Sequence, residues 1–138
     1  EILNQPVRVL EGVEDVLKEL RGKYKLAVAT KGDLLDQRRK LNESGLTGYF
    51  DHVEVMSDKT PIDYQNIFTS LNVAAENALM IGNSVRSDIL PILELGGYAV
   101  HIPFSVTWDH EEVKGEIQHL RFAKLENIKE VLNLNVLQ

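Results

Sequence analysis

Thr30, Lys59, Asn83 and Asp88 are the residues of this 138-residue sequence whose types and spacing suit chemistry. A hydroxyl and an ammonium can hold the oxygens of a phosphoryl group. A carboxylate with a carboxamide offers the hard oxygen ligands that a cation such as Mg2+ takes. Each residue alone has an ordinary reading: Thr30 as a cap or ladder residue, Lys59 as a solvated cation, Asp88 as a first-turn helix acid, Ser84 and Ser87 as caps. Their combined placement, each just after a short apolar run, favours a common site. Strand ends gather along one edge of a parallel sheet, so residues about 30 positions apart in sequence can converge there.

The elements that must position them follow from pattern. Val13, Val16, Leu17 and Leu20 have the spacing of a helix with one buried face over Glu11–Arg21, and Glu14 and Asp15 lie in its first turn, where the helix dipole favours acids. Lys25–Thr30 is short and apolar enough for a strand covered on both faces. Lys31-Gly32-Asp33 turns the chain, Asp33 caps a helix to about Ser44, and Gly45 stops it. After a loop at Thr47–Phe50, His52–Val55 is a second strand. Thr60, Pro61 and Asp63 form a strong helix start, with Tyr64, Ile67, Phe68 and Leu71 on one face.

Ala78–Ile81 is the next strand, ending at Gly82. The turn Gly82–Asp88 leads to a helix beginning near Ser87, carrying Ile89, Ile92 and Leu93 and ending at Gly96-Gly97; Pro91 is close enough to its start to be tolerated. Tyr98–Ile102 is a further strand, Phe104–Glu116 a loop, and Leu125, Ile128, Val131 and Leu132 mark a last amphipathic helix. Alternating helices and strands imply right-handed crossovers and a parallel sheet, hence an α/β fold of three layers with helices on both faces of a Rossmann-like sheet.

Composition narrows the function. The length and the 43% hydrophobic content fit one globular domain, and a net charge of −6 argues against nucleic acid or an anionic membrane as a main partner. The absence of cysteine removes disulfides and thiolate metal sites, and no apolar run reaches the ~18 residues of a membrane span. With no signal peptide in view, the expected location is the cytoplasm. His52, His101, His110 and His119 lack metal-binding spacing and are expected to be structural or exposed; Trp108 is expected to pack onto its own domain. The dinucleotide and phosphate-loop fingerprints are absent, and Ser84 lacks a nucleophile elbow.

In this order the residues resemble the haloacid dehalogenase-like (HAD) hydrolase superfamily, most of whose members are Mg2+-dependent phosphatases. The similarity runs from Val9 to about Phe104. Glu11-Gly12-Val13 with Leu17 and Leu20 looks like the family's lead-in helix. Leu26-Ala27-Val28-Ala29-Thr30 looks like the second motif, Lys59 ahead of Pro61 and Tyr64 like the third, and Gly82-Asn83-Ser84-Val85-Arg86-Ser87-Asp88 like the fourth, metal-binding motif. The resemblance implies a phosphate-binding set of Thr30, Lys31, Gly32 and Lys59, with Lys59 catalytic, and metal ligands Asp88 and Asn83. It also implies one core domain over 1–138: a lead-in at 1–10, the motif-bearing core at 11–104, and a loop with a C-terminal helix at 105–138.

Two departures from the family pattern shape the expectation. Asn83 stands where an acid is common, leaving Asp88 as the single carboxylate of its turn. No Asp-x-Asp occurs anywhere in the sequence; in the family its first Asp is the nucleophile, its second the general acid and base, and it ends the central strand. The chain is therefore expected to be the carboxyl-terminal part of a longer protein. An upstream segment would supply the central strand, the nucleophile and a cap, the substrate being a small phosphorylated metabolite. The alternatives are a non-catalytic HAD-fold binding or assembly protein, or a dehalogenase of the same superfamily. A phospho-receiver domain shares the sheet, Thr and Lys but needs an acidic pocket.

Overall fold

In the computed structural model the described residues are 12–56, 58–103 and 119–134. Helix α1 (Val13–Leu20) buries Val16, Leu17 and Leu20, the face its spacing predicts. Strand β1 (Ala27–Lys31) leads into α2 (Leu34–Ser44), whose first turn is capped by the Asp33 side chain accepting from the Asp36 N–H and whose end is closed by Gly45 at φ +77°. A short 3-10 turn at Thr47–Tyr49 occupies the loop before β2 (His52–Met56).

Helix α3 (Pro61–Ser70) starts with a full capping box: Thr60 accepts from the Asp63 N–H and Asp63 accepts from the Thr60 N–H. Tyr64, Ile67, Phe68 and Leu71 are all buried, as their spacing predicts. Strand β3 (Leu79–Gly82) is followed not by a helix starting at Ser87 but by a π-helical turn, Val85–Ile89, capped by Ser84. The α-helical part, α4 (Leu90–Glu94), comes after it. The wider turn re-aims the segment that carries Asp88, a common effect of π geometry.

Strand β4 (Tyr98–His101) ends one residue before the expected Ile102. A short strand that apolar patterning did not reveal, β5 (Phe122–Lys124), pairs with it. The expected last amphipathic helix is instead a 3-10 segment, Ile128–Asn133, capped by Asn127 and Glu130. Six residues are too few for apolar spacing to separate the two windings. The expected lead-in at 1–10, the loop Phe104–Glu116 with Trp108 and His110, and the family-like Glu11 lie outside the described residues.

Among the described residues all the strand pairs are parallel. They form two sheets, β1-β2 and β3-β4-β5, and among the described residues no ladder joins β1 to β3. The two sheets nevertheless share a core. Ala29 and Met56 from the first pack with Met80 and Ala99 from the second against Tyr64, Ile67, Phe68 and Ile92. On the other face Leu79, Ile81 and Val100 pack against Ile128 and Val131. The alternation along β3 and β4 thus puts α3 and α4 on one face and the 3-10 segment, which α1 contacts, on the other. This is the α/β arrangement of parallel strands covered on both faces.

Candidate phosphate and metal site

The chemistry-bearing residues lie at or just beyond the carboxyl ends of β1, β2 and β3. Asp88 is buried, with its side chain 3% exposed, and its Oδ1 accepts a hydrogen bond from Lys59 Nζ at 2.7 Å. Its Oδ2 accepts from the Ser84 main-chain N–H at 3.1 Å. A buried carboxylate needs an opposite charge and donors to remain ionised at acceptable cost, and Asp88 has both. Gly82 makes the arrangement possible: a Cβ there would overlap the Asp88 side chain.

Lys59 is held by the architecture around it. It follows β2 by three residues and immediately precedes the Thr60 capping box, so the helix start fixes its backbone. The π-helical turn brings Asp88 back over the end of β3, with the Asp88 N–H donating to the Ser84 carbonyl at 2.8 Å. Tyr64, buried in α3, donates from its hydroxyl to the Ser87 carbonyl at 2.8 Å and lies 3.4 Å from Asp88 Oδ1. Burial first, then the neighbouring Asp88 charge, raises the Tyr64 pKa, so its hydroxyl stays protonated and remains a donor.

The remaining expected residues sit around this pair. Thr30 is half-buried near the end of β1, opposite Val55. Lys31 is exposed, and its Nζ meets Asp58, the residue before Lys59, at 3.4 Å. Gly32 has φ +124°, a turn conformation glycine adopts without strain, while Gln37 Nε2 donates to the Lys31 carbonyl. Asn83 is exposed, and the contact it makes is through its main-chain carbonyl, 3.0 Å from His101 Nε2. The structure thus joins Lys59 directly to Asp88, and Lys31 to the residue beside Lys59.

Tyr64 and Ser84 stand in the family-like motifs with no site role of their own read from sequence, and His101 is expected only to be structural or exposed.

The donor set fits Mg2+ as part of a coordination shell. Among the described residues no cluster of three or more His, Cys, Asp or Glu side chains gathers. Asp88 Oδ1 is approached by Lys59 and, at 3.4 Å, by the Tyr64 hydroxyl, while Oδ2 accepts from the Ser84 N–H alone among the described residues; a carboxylate has about four acceptor positions, so Oδ2 keeps capacity. Mg2+ is commonly held by one or two carboxylates together with waters and substrate phosphate, and Asp88 with a carboxamide at Asn83 can supply the protein side of such a shell.

Comparison with known proteins decides the family. Residues 1–96 match the model of the haloacid dehalogenase-like hydrolases. The chain belongs to this family. It is 25% identical over 142 aligned residues to a protein of Bacillus subtilis named as a HAD-hydrolase, YfnB, covering 96% of this chain and 57% of that protein. It is 29% identical over 97 residues to human N-acylneuraminate-9-phosphatase, covering 67% of this chain and 39% of the enzyme. Among solved structures, a haloacid dehalogenase-like family hydrolase from Xanthomonas campestris superposes with a TM-score of 0.82 at 31% identity, over 93% of this chain and 54% of that one. The magnesium-bound structure of YfnB, at 18% identity and a TM-score of 0.72, shares the fold over 91% of this chain and 55% of its own. The HAD chain described here therefore spans about half the length of the relatives it matches.

Proposed function

We propose that this chain forms the phosphate- and metal-holding part of a Mg2+-dependent phosphatase acting on a small phosphorylated metabolite. The observation that carries the reading is the Lys59–Asp88 contact of 2.7 Å at the carboxyl edge of the sheet. It sets an ammonium against a buried carboxylate where a phosphoryl group and a cation could be held together. Membership of the hydrolase family and the likeness to a human phosphatase support the same direction.

An aspartate from an upstream segment of the same protein would attack phosphorus. The phosphorus–oxygen ester bond breaks, the alcohol leaves with a proton given by a second upstream aspartate as general acid, and an aspartyl-phosphate remains. That second aspartate, now a carboxylate, takes a proton from the water that attacks phosphorus, releasing inorganic phosphate and regenerating the nucleophile's carboxylate. Thr30, with the Lys31-Gly32 turn, would hold phosphoryl oxygens. Lys59 would offset the charge between two anions that otherwise repel each other, the nucleophile and the phosphate. Mg2+, held by Asp88 and Asn83 with the upstream carboxylate, would supply electrostatic stabilisation of the phosphoryl oxygens when bound. The separation of β1 from β3 supports a strand from that upstream segment lying between them. Among the described residues no helix is long and apolar enough to cross a membrane; with the charge balance this supports a cytoplasmic enzyme free of nucleic-acid and membrane partners.

The test is acid quench of the full-length protein during turnover of a phosphate monoester, followed by mass spectrometry. A phosphorylated aspartate in the segment upstream of Glu1 is expected. Steady turnover with no such species overturns the mechanism, and failure to hydrolyse any phosphate monoester overturns the phosphatase reading.

A further inference from the structure

Tyr64 is a buried polar side chain that the proposed chemistry leaves unused. It is 1% exposed on α3, packed in the core that includes Ile67, Phe68, Ile89 and Ile92. Its hydroxyl points at the π-helical turn and donates to the Ser87 carbonyl at 2.8 Å. Tyr64 thus ties the π-helical turn to α3 through a main-chain carbonyl of that turn. The bond acts on the peptide unit that links Ser87 to Asp88, and the same oxygen lies 3.4 Å from Asp88 Oδ1.

We propose that Tyr64 is a positioning residue: by fixing the Ser87–Asp88 peptide it sets the direction in which the Asp88 carboxylate faces the metal side of the site. The inference rests on the reading of Asp88 as a metal-side residue. The hydroxyl fixes the main chain, Lys59 and the Ser84 N–H fix the two carboxylate oxygens, and together they leave the side chain one orientation. Supporting groups of this kind orient metal-side ligands and act on affinity through them.

Calorimetric titration of Mg2+ into the full-length protein, without substrate, tests the proposal in two variants. Tyr64→Phe keeps the ring in the core and removes the donor; Mg2+ affinity is expected to fall about tenfold, the lower end for loss of a supporting group. Phe68→Leu, a core change on the same helix, is expected to lower the melting temperature while leaving the affinity at the wild-type value. Wild-type affinity in Tyr64→Phe, or equal loss in Phe68→Leu, overturns the positioning role while the metal reading stands. Should Tyr64→Phe fail to fold, Tyr64→Leu, which also lacks the donor, decides: a tenfold loss of affinity supports the role, and wild-type affinity overturns it. A wild-type protein that binds no Mg2+ overturns the metal reading itself, and the inference with it.

Discussion

Lys59 Nζ lies 2.7 Å from Asp88 Oδ1, although 29 positions separate the two residues in sequence. Their side chains are 19% and 3% exposed, so the pair sits largely out of water. Removing one member leaves the other buried without its counter-charge. Lys59→Met is expected to lower the unfolding free energy of the full-length protein by roughly 3 kcal/mol. In the double variant Lys59→Met/Asp88→Asn part of that loss should return, giving a coupling of at least about 1 kcal/mol in urea denaturation. Strictly additive effects of the single changes would show that the pair does not act as one unit.

Gly82 is the residue against which Asp88 folds back. A methyl group there would overlap Asp88 Cβ, Cγ and Oδ2. Gly82→Ala must therefore displace the carboxylate, and a cost of about 1–3 kcal/mol is expected from the overpacking. Thermal melts should show the loss, whereas Gly48→Ala, at a position where an added Cβ meets nothing within 4 Å, should melt close to wild type. Equal melting temperatures for the two variants would contradict the close packing of Asp88 on the strand end.

The Thr60 capping box both starts α3 and anchors the residue after Lys59. Thr60→Ala is expected to cost about 1 kcal/mol. Thr60→Ser, which keeps the hydroxyl acceptor, should recover most of it by chemical denaturation. No difference between the two would mean that the cap contributes nothing to the helix.

Tyr64 gives a pH dependence of defined sign. Its phenol pKa is raised in the folded protein, chiefly by burial, while in the unfolded chain it titrates near 10 as tyrosine ordinarily does. The contribution is therefore fully present below about pH 10 and is lost as pH rises beyond it, because only the unfolded chain then gives up the proton. The stability gap between wild type and Tyr64→Phe should narrow as pH is taken from about 9 to 11. A gap that stays constant would show that Tyr64 ionises alike in both states.

Much of this site was legible because it depends on local chemistry. Thr60, Pro61 and Asp63 declared a helix start, Gly45 a stop, and Tyr64, Ile67, Phe68 and Leu71 a buried face, each from backbone or spacing rules that act within a few residues. The convergence of Lys59 and Asp88 followed from parallel topology. What was not legible depended on distance or on winding. Tyr64 read as an apolar face residue because the carbonyl it serves is 23 positions away. The π-helical turn could not be told from an ordinary helix start, since Ser84 and Ser87 both suit a cap. β5 is only three residues long and owes its form to pairing with β4 rather than to an apolar pattern of its own.

The most direct measurement is release of inorganic phosphate from phosphate monoesters by the full-length protein, with wild type compared with folded Lys59→Met. Turnover by the wild type is expected to require Mg2+, and the substitution should reduce it by about a hundredfold or more, the scale for losing one preorganised electrostatic contact to the reacting group. Near-normal turnover in folded Lys59→Met would remove Lys59 from the chemistry and contradict the site as built.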